Sequence, residues 1–364
     1  MRWDELSTPA LTVDADVLDR NLRRMADYCQ SHSLGLRPHT KTHKIPEVAR
    51  LQVRYGAIGL TVAKVGEAEV MCGAGLDNIL VAYPVMGPKK HERLAALALN
   101  HSMLVSLDSE TVAEALASAA KQQSATIGVL VEFDAGLGRC GLEPGPGLVD
   151  LAQKIMRLPS LRFRGLMCYP GQVSGSAEAR QREIARVVEK VERARAAFRQ
   201  EQIPVEIVSA GSTPSAFQSH LIPGLTEIRP GTYVYNDMNT FYQGACAVED
   251  CAARVVTTVV STAVAGGAIL DAGSKTLSSD PLRFGPASGY GYIVEAPDAP
   301  IVKLNEEHGY VDMRRAPRQL RVGDVVSIIP NHVCTCVNMH DEIFVVRQGM
   351  VERTWRVAAR GKIR

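Results

Sequence analysis

The segment RPHTKTHK at residues 37–44 places one arginine, two lysines and two histidines within eight positions. Such a run of basic side chains is usually a solvated loop. The chemical alternative is an active-site lysine, because neighbouring positive charges lower the pKa of a lysine amine and make it a better nucleophile toward carbonyl groups. The same charges would attract anionic ligands. The two interpretations predict different surroundings for this segment. The elements before and after it therefore decide between them.

Composition and charge exclude several classes of protein. The chain has 364 residues, of which 46% are hydrophobic and 22% charged, and its formal net charge is only +2. Nucleic acid and anionic membrane are therefore not expected as the main partners. The N-terminus contains acids where a signal peptide needs an apolar run, and no apolar run is long enough to span a membrane. The eight cysteines are scattered, so we expect reduced thiols and a cytoplasmic protein.

Short apolar runs alternate with helical patterns between roughly residues 34 and 236, which is typical of parallel βαβ units. About eight units in this length predict a (β/α)8 barrel. An open doubly wound sheet is the alternative, but no GxGxxG motif follows the first strand. The predicted strands are LGLRPH, AIGLTVA, NILVAYPV, MLVSLDS, IGVLVEF, FRGLMCY, VEIVSA and IRPGTYVY.

The helical period disappears at about residue 250, and apolar runs separated by Gly, Asp and Asn predict an all-β domain. VVRQGMVE predicts a hairpin that turns at Gln348-Gly349. We expect a barrel over residues 12–240 and a β domain formed by residues 1–11 and 241–364.

In a barrel of this kind the active site lies where the strands end. Lys41 follows the first predicted strand, Arg139 follows the fifth and Tyr169 ends the sixth. The seventh ends in SAGSTPS, whose small residues precede a helix and suit a phosphate, and the eighth ends in RPGTYVY. Each feature alone has an ordinary explanation, such as a surface lysine or a helix N-cap. Together they match pyridoxal phosphate, which needs a Schiff-base lysine, a phosphate anchor and a polar partner for its ring.

Several motifs resemble the D-threonine aldolase and D-serine dehydratase group of pyridoxal phosphate enzymes. That group has the alanine racemase fold, an N-terminal (β/α)8 barrel followed by a β domain. The resemblance spans nearly the whole chain and implies a homodimer with a small D-amino acid as substrate. Its motifs are RPHTKTHK, VAKVGEAEVM, FDAGLGRCGL, GSTPS, EIRPGTYVYND and PNHVCTCVN.

The resemblance also implies roles for individual residues of the barrel. Lys41 would form the Schiff base, Arg139 would lie near the phenolic oxygen or ring nitrogen of the cofactor, and Tyr169 would contact the cofactor. His43 would either assist proton transfer directly or support the residues that contact the cofactor. Many members carry a histidine at the position of Gln172, so this chain departs from the pattern there. The residues expected to hold the phosphate are Ser212, Thr213, Gly231 and Thr232.

The segment PNHVCTCVNMHD, residues 330–341, is a candidate metal site. If it is a strand, His332, Cys334 and Cys336 share one face, and imidazole and thiolate together suit zinc or a similar ion. The residue pattern alone leaves open a buried strand with inert cysteines. The resemblance implies that His332 and Cys334 bind a divalent ion, Zn, Mn or Mg. Aldolases of the group tend to carry His-x-Asp here, whereas His-x-Cys is familiar from the dehydratases.

The function that we expect is a metal-dependent pyridoxal phosphate lyase that cleaves D-β-hydroxy-α-amino acids to glycine and an aldehyde. The alternative within the group is a dehydratase of D-serine or 3-hydroxy-D-aspartate, which releases a 2-oxo acid and ammonia. An amino-acid racemase would need no metal. A non-catalytic pyridoxal phosphate carrier would usually be a barrel alone, without the β domain.

Overall fold

The computed structural model describes residues 1–283 and 289–364. The chain divides into two compact units. The barrel unit comprises residues 25–41, 46–231 and 361–364, and the β unit comprises residues 1–24, 42–45 and 232–360.

Strands and helices of the described residues are numbered here in chain order. The strands are β1 Ala10–Asp14, β2 Gly35–Leu36, β3 Leu60–Val62, β4 Ile79–Val81, β5 Met103–Leu107, β6 Ile127–Glu132, β7 Leu161–Met167, β8 Ile207–Ala210, β9 Glu227–Ile228, β10 Ala253–Ser261, β11 Gly267–Leu270, β12 Tyr292–Ile293, β13 Ile301–Leu304, β14 Gly309–Asp312, β15 Val325–Ile329, β16 Glu342–Arg347 and β17 Met350–Arg356. The α-helices are α1 Ala15–Ser31, α2 Pro46–Arg54, α3 Val65–Gly73, α4 Pro88–Leu97, α5 Glu110–Gln122, α6 Pro146–Met156, α7 Ala177–Gln200, α8 Met238–Tyr242, α9 Ser274–Leu277 and α10 Val333–Val337. Shorter 3-10 helices lie at Trp3–Glu5, Thr213–Leu221, Thr232–Val234 and Val248–Asp250.

Eight parallel strands form the sheet of the barrel unit, in the order β2-β9-β8-β7-β6-β5-β4-β3. The two ends of this sheet meet just beyond β2. The amide of Thr40 donates to the carbonyl of Thr61 at 2.8 Å, and the amide of Thr61 donates to the carbonyl of Pro38 at 2.9 Å. These bonds close the sheet, so the predicted barrel is confirmed. Each predicted apolar run of this region overlaps one of the eight strands, although only Ile228 of the last run, IRPGTYVY, lies in a strand, and Thr232–Val234 form a 3-10 helix.

The helices of the barrel unit follow from their apolar spacing. In α7, a helix of 24 residues, the buried positions are Ile184, Val187, Val191, Ala194 and Phe198. They recur at intervals of three and four residues, so they form one apolar stripe on an otherwise charged helix.

A buried ion pair lies at the level of β2 and β9. The Nε of Arg37 donates to both carboxylate oxygens of Glu227, at 2.9 and 3.0 Å. Its Nη1 donates to the backbone and side-chain oxygens of Asn78, and the hydroxyl of Ser209 donates to Glu227 at 2.7 Å. Both charged side chains are almost completely buried. The pair therefore joins neighbouring strands of the barrel just before the chain reaches Lys41.

The β unit contains a sheet in the order β13-β14-β11-β10-β1-β16-β17, with β15 paired to β10 and β12. Strand β1, from the N-terminal part of the chain, lies antiparallel to β10 and parallel to β16. The hairpin of β16 and β17 is confirmed. Its turn residues Gln348 and Gly349 both have positive φ, 48° and 79°, as a tight two-residue hairpin turn requires.

None of the helices in residues 1–283 and 289–364 is long and apolar enough to cross a membrane. All eight cysteines are free thiols.

Candidate active site

The basic segment 37–44 is not a solvated loop. Arg37, His39, His43 and Lys44 are all buried, and Lys41 is half-buried. The backbone amide of Lys41 donates to Nδ1 of His39 at 3.3 Å. The histidine thus supports the backbone that carries the lysine.

In the barrel unit, three of the expected cofactor residues come together around one aromatic ring. The Lys41 ammonium lies 5.8 Å from the centroid of the Tyr169 ring, and the Arg139 guanidinium carbon lies 4.7 Å from it. Cations are attracted to the face of an aromatic ring at such distances. A Cβ at Gly171 would lie 2.5 Å from the Tyr169 ring. The glycine therefore allows the ring to occupy this position.

The expected phosphate anchor lies at the start of the 3-10 helix Thr213–Leu221. Ser212 is its N-cap, and the Ser212 and Ser215 hydroxyls lie 3.0 Å apart. Ser212, Thr213 and Gly231 are buried. Helix N-termini leave backbone N–H groups that suit an anion. With the half-buried amine of Lys41, these groups fit pyridoxal phosphate.

A buried acid of the barrel was missed in the sequence. Glu132 ends β6, and the Ser106 hydroxyl donates to its Oε2 at 3.3 Å. Burial raises the pKa of Glu132, while the positive charges of Arg229 and Arg139 oppose that shift. A carboxyl near the end of the apolar run IGVLVEF was a signal that this strand end faces a polar centre.

In the β unit, the expectation of a strand at residues 332–336 was wrong. Residues Val333–Val337 form the short helix α10, with His332 at its N-cap. The Asp237 carboxylate accepts a hydrogen bond from the Val333 amide at 3.0 Å, which stabilises the first turn. Cys336 is buried, and its thiol donates to the carbonyl oxygen of Thr276. The strand face that would have grouped Cys336 with His332 and Cys334 is therefore absent, and the Cys336 thiol is engaged with Thr276 instead.

The side chains of His332 and Cys334 do come together, since Cys334 is among the groups whose proximity raises the pKa of His332. The Nδ1 of His332 lies 2.7 Å from Oδ2 of Asp280. Burial lowers the pKa of His332, but the contacts with Cys334, Asp237 and Asp280 outweigh burial and raise it to about 9. Burial raises the pKa of Asp280, but hydrogen bonds from Thr335 and His332 lower it overall.

Two threonine hydroxyls lie beside the thiol of Cys334. The Oγ1 of Thr42 is 3.3 Å from its sulfur, and the Oγ1 of Thr232 is 3.9 Å from it. Thr42 directly follows Lys41 in the chain. Thr232, which was expected to bind the phosphate, therefore lies beside Cys334 in the β unit.

The donor set of His332 and Cys334 fits a divalent ion with open coordination positions. No group of three His, Cys, Asp or Glu side chains suited to a metal occurs within residues 1–283 and 289–364. Two protein ligands leave the remaining positions to water and substrate, and open positions are typical of catalytic rather than structural metal sites.

The two remaining residues of interest have defined partners. His43 is completely buried, and its Nδ1 accepts a hydrogen bond from the Ile45 amide at 3.0 Å. Gln172 donates its side-chain N–H to the carbonyl of Ala135 at 2.7 Å. An amide cannot transfer protons as a histidine at this position would. The role of His43 in proton transfer stays a prediction.

Two family models match the chain. Residues 13–239 match the alanine racemase N-terminal domain, and residues 252–346 match the putative serine dehydratase domain.

Curated relatives match along almost the full length. The chain is 33% identical to the D-threonine aldolase of Arthrobacter sp., over 98% of this chain and 93% of that protein. It is 32% identical to the 3-hydroxy-D-aspartate aldolase of Paracoccus denitrificans, over 100% of this chain and 94% of that protein.

Solved structures are equally similar. The D-threonine aldolase from Filomicrobium marinum superposes with a TM-score of 0.93 at 34% identity, covering 100% of this chain and 98% of that one. The D-threo-3-hydroxyaspartate dehydratase from Delftia sp. gives 0.91 at 30% identity and covers 98% of both chains. The chain is therefore a member of the D-threonine aldolase and D-serine dehydratase family, whose enzymes are lyases that use pyridoxal phosphate.

Proposed function

We propose that this chain is a pyridoxal phosphate- and divalent-metal-dependent lyase that cleaves D-β-hydroxy-α-amino acids to glycine and an aldehyde. The observation that supports a metal-dependent lyase is the His332–Cys334 pair, whose sulfur lies 3.3 Å from the hydroxyl of Thr42, and the full-length similarity to D-threonine aldolases favours aldol cleavage. Thr42 directly follows Lys41, the candidate Schiff-base lysine, along the chain. A racemase needs no such pair.

The barrel residues would bind and orient the cofactor. Lys41 would hold it covalently, while Ser212, Thr213, Gly231 and Thr232 would hold its phosphate. Arg139 and Tyr169 would fix the ring, because they already contact each other and Tyr169 contacts the lysine ammonium. Pyridoxal phosphate supplies an acceptor for the electrons released at the substrate Cα. Lys41, once displaced by the substrate amine, would become an amine able to hold or move a proton.

His332 and Cys334 would hold the divalent ion. An ion there would supply Lewis-acid activation of the substrate β-hydroxyl. A thiolate favours zinc over magnesium, so we propose zinc first and manganese second. Binding through Nε2 of His332 requires a neutral imidazole. Because the contacts with Cys334, Asp237 and Asp280 raise the pKa of His332, protons would compete with the ion for this imidazole.

A dehydratase is the second candidate, and a specific observation favours it. The ligand pair is His-x-Cys, which resembles the dehydratases of the family more than its aldolases. A cysteine-to-alanine variant of the Delftia dehydratase has been solved in a metal-free form. In this case Lys41 would remove the α-proton and the β-hydroxyl would leave as water, and hydrolysis of the resulting enamine would give a 2-oxo acid and ammonia.

Product analysis tests the proposal. The purified protein is incubated with D-threonine, D-3-hydroxyaspartate and D-serine, and aldehyde, glycine, 2-oxo acid and ammonia are assayed separately. We expect glycine and aldehyde in equal amounts, with L-threonine as the inactive control. Formation of 2-oxo acid alone would establish the dehydratase instead, and interconversion of D and L isomers after exhaustive chelation would establish a racemase.

Metal removal tests the role of the His–Cys pair. EDTA should abolish turnover while the absorbance of the bound cofactor persists, since the barrel residues hold the cofactor. Zn²⁺ or Mn²⁺ should restore activity. His332→Ala should mimic chelation, Cys334→Asp should be milder because carboxylate is also an anionic ligand, and Cys336→Ala is the matched control. Full activity of His332→Ala in EDTA would refute the metal site.

A further inference from the structure

We propose that Asp280 is a positioning residue for the metal, because its carboxylate orients the imidazole of His332. This inference rests on the proposed function, since it assumes that His332 binds an ion. The two residues are 52 positions apart in the sequence, and their side chains meet at 2.7 Å between Nδ1 and Oδ2.

The contact determines which nitrogen of His332 can bind a metal. A carboxylate only accepts hydrogen bonds, so Nδ1 must donate and carry the proton. In the neutral ring, Nε2 then holds the lone pair. Histidine ligands commonly donate their other N–H to a carboxylate, which fixes the ring and raises its basicity. The nitrogens point away from each other, so Asp280 cannot ligate the same ion through the oxygen that binds Nδ1.

Hydrogen bonds from neighbouring groups hold Asp280 in position. Its Oδ2 also accepts from the Thr335 hydroxyl at 2.9 Å, and its backbone amide donates to the Ser278 hydroxyl at 3.2 Å. The side chain of Asn331, the residue before His332, donates to the Asp280 carbonyl. Ser278 has a φ of 69° with a ψ of 167°. Backbone of this kind is strained for residues other than glycine and is often found at functional sites.

A purely structural role is the alternative, and the chain offers a way to separate the two. Thr335 lies in α10, so its bond with Asp280 also fastens the helix that carries Cys334. Thr335→Val removes that bond, together with the hydroxyl contacts to the His332 carbonyl and to Ser278, and leaves the contact between Asp280 and the His332 ring. Asp280→Ala removes both, while Asp280→Asn keeps the shape and an acceptor oxygen but loses the charge.

The experiment measures metal affinity directly. Zn²⁺ is titrated into the metal-stripped, cofactor-loaded protein in competition with a fluorescent chelator, and the melting temperature and cofactor absorbance are recorded in parallel. We expect Asp280→Ala to weaken zinc binding roughly 10- to 100-fold. Asp280→Asn should fall between this variant and the unaltered protein, and Thr335→Val should lower the melting temperature without weakening zinc.

Each outcome decides a separate point. If the unaltered protein binds no zinc, the proposed metal site fails and not the role of Asp280. If the protein binds zinc and Asp280→Ala binds it equally well, Asp280 does not position His332. Equal weakening in Thr335→Val and Asp280→Ala would show that the carboxylate acts through the helix alone. Should Asp280→Ala not fold, unchanged affinity in the isosteric Asp280→Asn overturns the inference.

Discussion

The buried ion pair of Arg37 and Glu227 allows a prediction whose magnitude follows from its contacts. Arg37→Met removes the cation and leaves the Glu227 carboxylate with the hydrogen bond from the Ser209 hydroxyl. Removing one member of a buried ion pair lowers the free energy of unfolding by about 3–5 kcal/mol, because the other charge stays buried without a partner charge. The side chains are 3% and 2% exposed, so water cannot replace the missing partner. We expect Glu227→Leu to cost a similar amount.

The double variant Arg37→Met/Glu227→Leu should be much less destabilised than either single variant. Neither charge then remains buried, and Ser209 keeps the hydrogen bond from Arg229 at 2.8 Å. We expect the double variant to lose about 1–2 kcal/mol of unfolding free energy, which is close to the loss of one or two hydrogen bonds. The sum of the single effects should therefore exceed the effect of the double variant by at least about 2 kcal/mol.

Differential scanning calorimetry of the cofactor-loaded protein measures these effects. A loss of 1 kcal/mol lowers the melting temperature of a domain of this size by about 2–4 °C, so each single variant should melt about 6–20 °C lower. The double variant should recover most of this loss. Additive effects of the two substitutions would refute the reasoning, because they would show that the charges do not depend on each other.

Three further predictions concern the lysine, the barrel and the assembly. Lys41→Ala should abolish both the absorbance of the bound cofactor and the activity, with Lys64→Ala as control; a borohydride-reduced adduct on Lys64 would overturn the assignment. Gly165→Ala should cost about 2 kcal/mol or more, since φ is 144° and the new Cβ would overlap the backbone of Ile207. Gly147→Ala, where a Cβ would meet nothing within 4 Å, should leave the melting temperature nearly unchanged. Light scattering at assay concentration should show a homodimer, and a fully active monomer would contradict the assembly that the family resemblance implies.

Much of the barrel was predictable because its signals are local. A parallel strand buried on both faces is a short apolar run, and a covering helix has apolar residues three and four apart. Seven of the eight predicted runs therefore coincide with strands in the expected order, whereas the last run has only Ile228 in a strand. The hairpin at Gln348-Gly349 was predictable for a similar reason, since only a few residue pairs tolerate two positive φ angles. The exact boundaries of the domains stay predictions.

The helix at Val333–Val337 shows where local signals fail. The sequence VCTCV has the β-branched residues of a strand. The structure makes it a helix, and the Asp237 carboxylate, 96 residues away, accepts the hydrogen bond of its first amide. A capping group supplied by tertiary structure thus outweighs a weak local propensity. The consequence is chemical, because His332 and Cys334 stay together while Cys336 is buried against Thr276.

The sequence by itself determined the order of the elements, the segment with Lys41 and the pair His332 and Cys334, because each depends on residues close together along the chain. Only the tertiary structure decided that Asp280 meets His332 and that Arg37 meets Glu227, 190 residues away. Partners so distant in sequence leave no periodic pattern. Buried polar groups must nevertheless find them, because an unpaired donor or charge in the interior is costly. Folding selects those partners through the register of the strands and the position of the loops, which no single segment encodes.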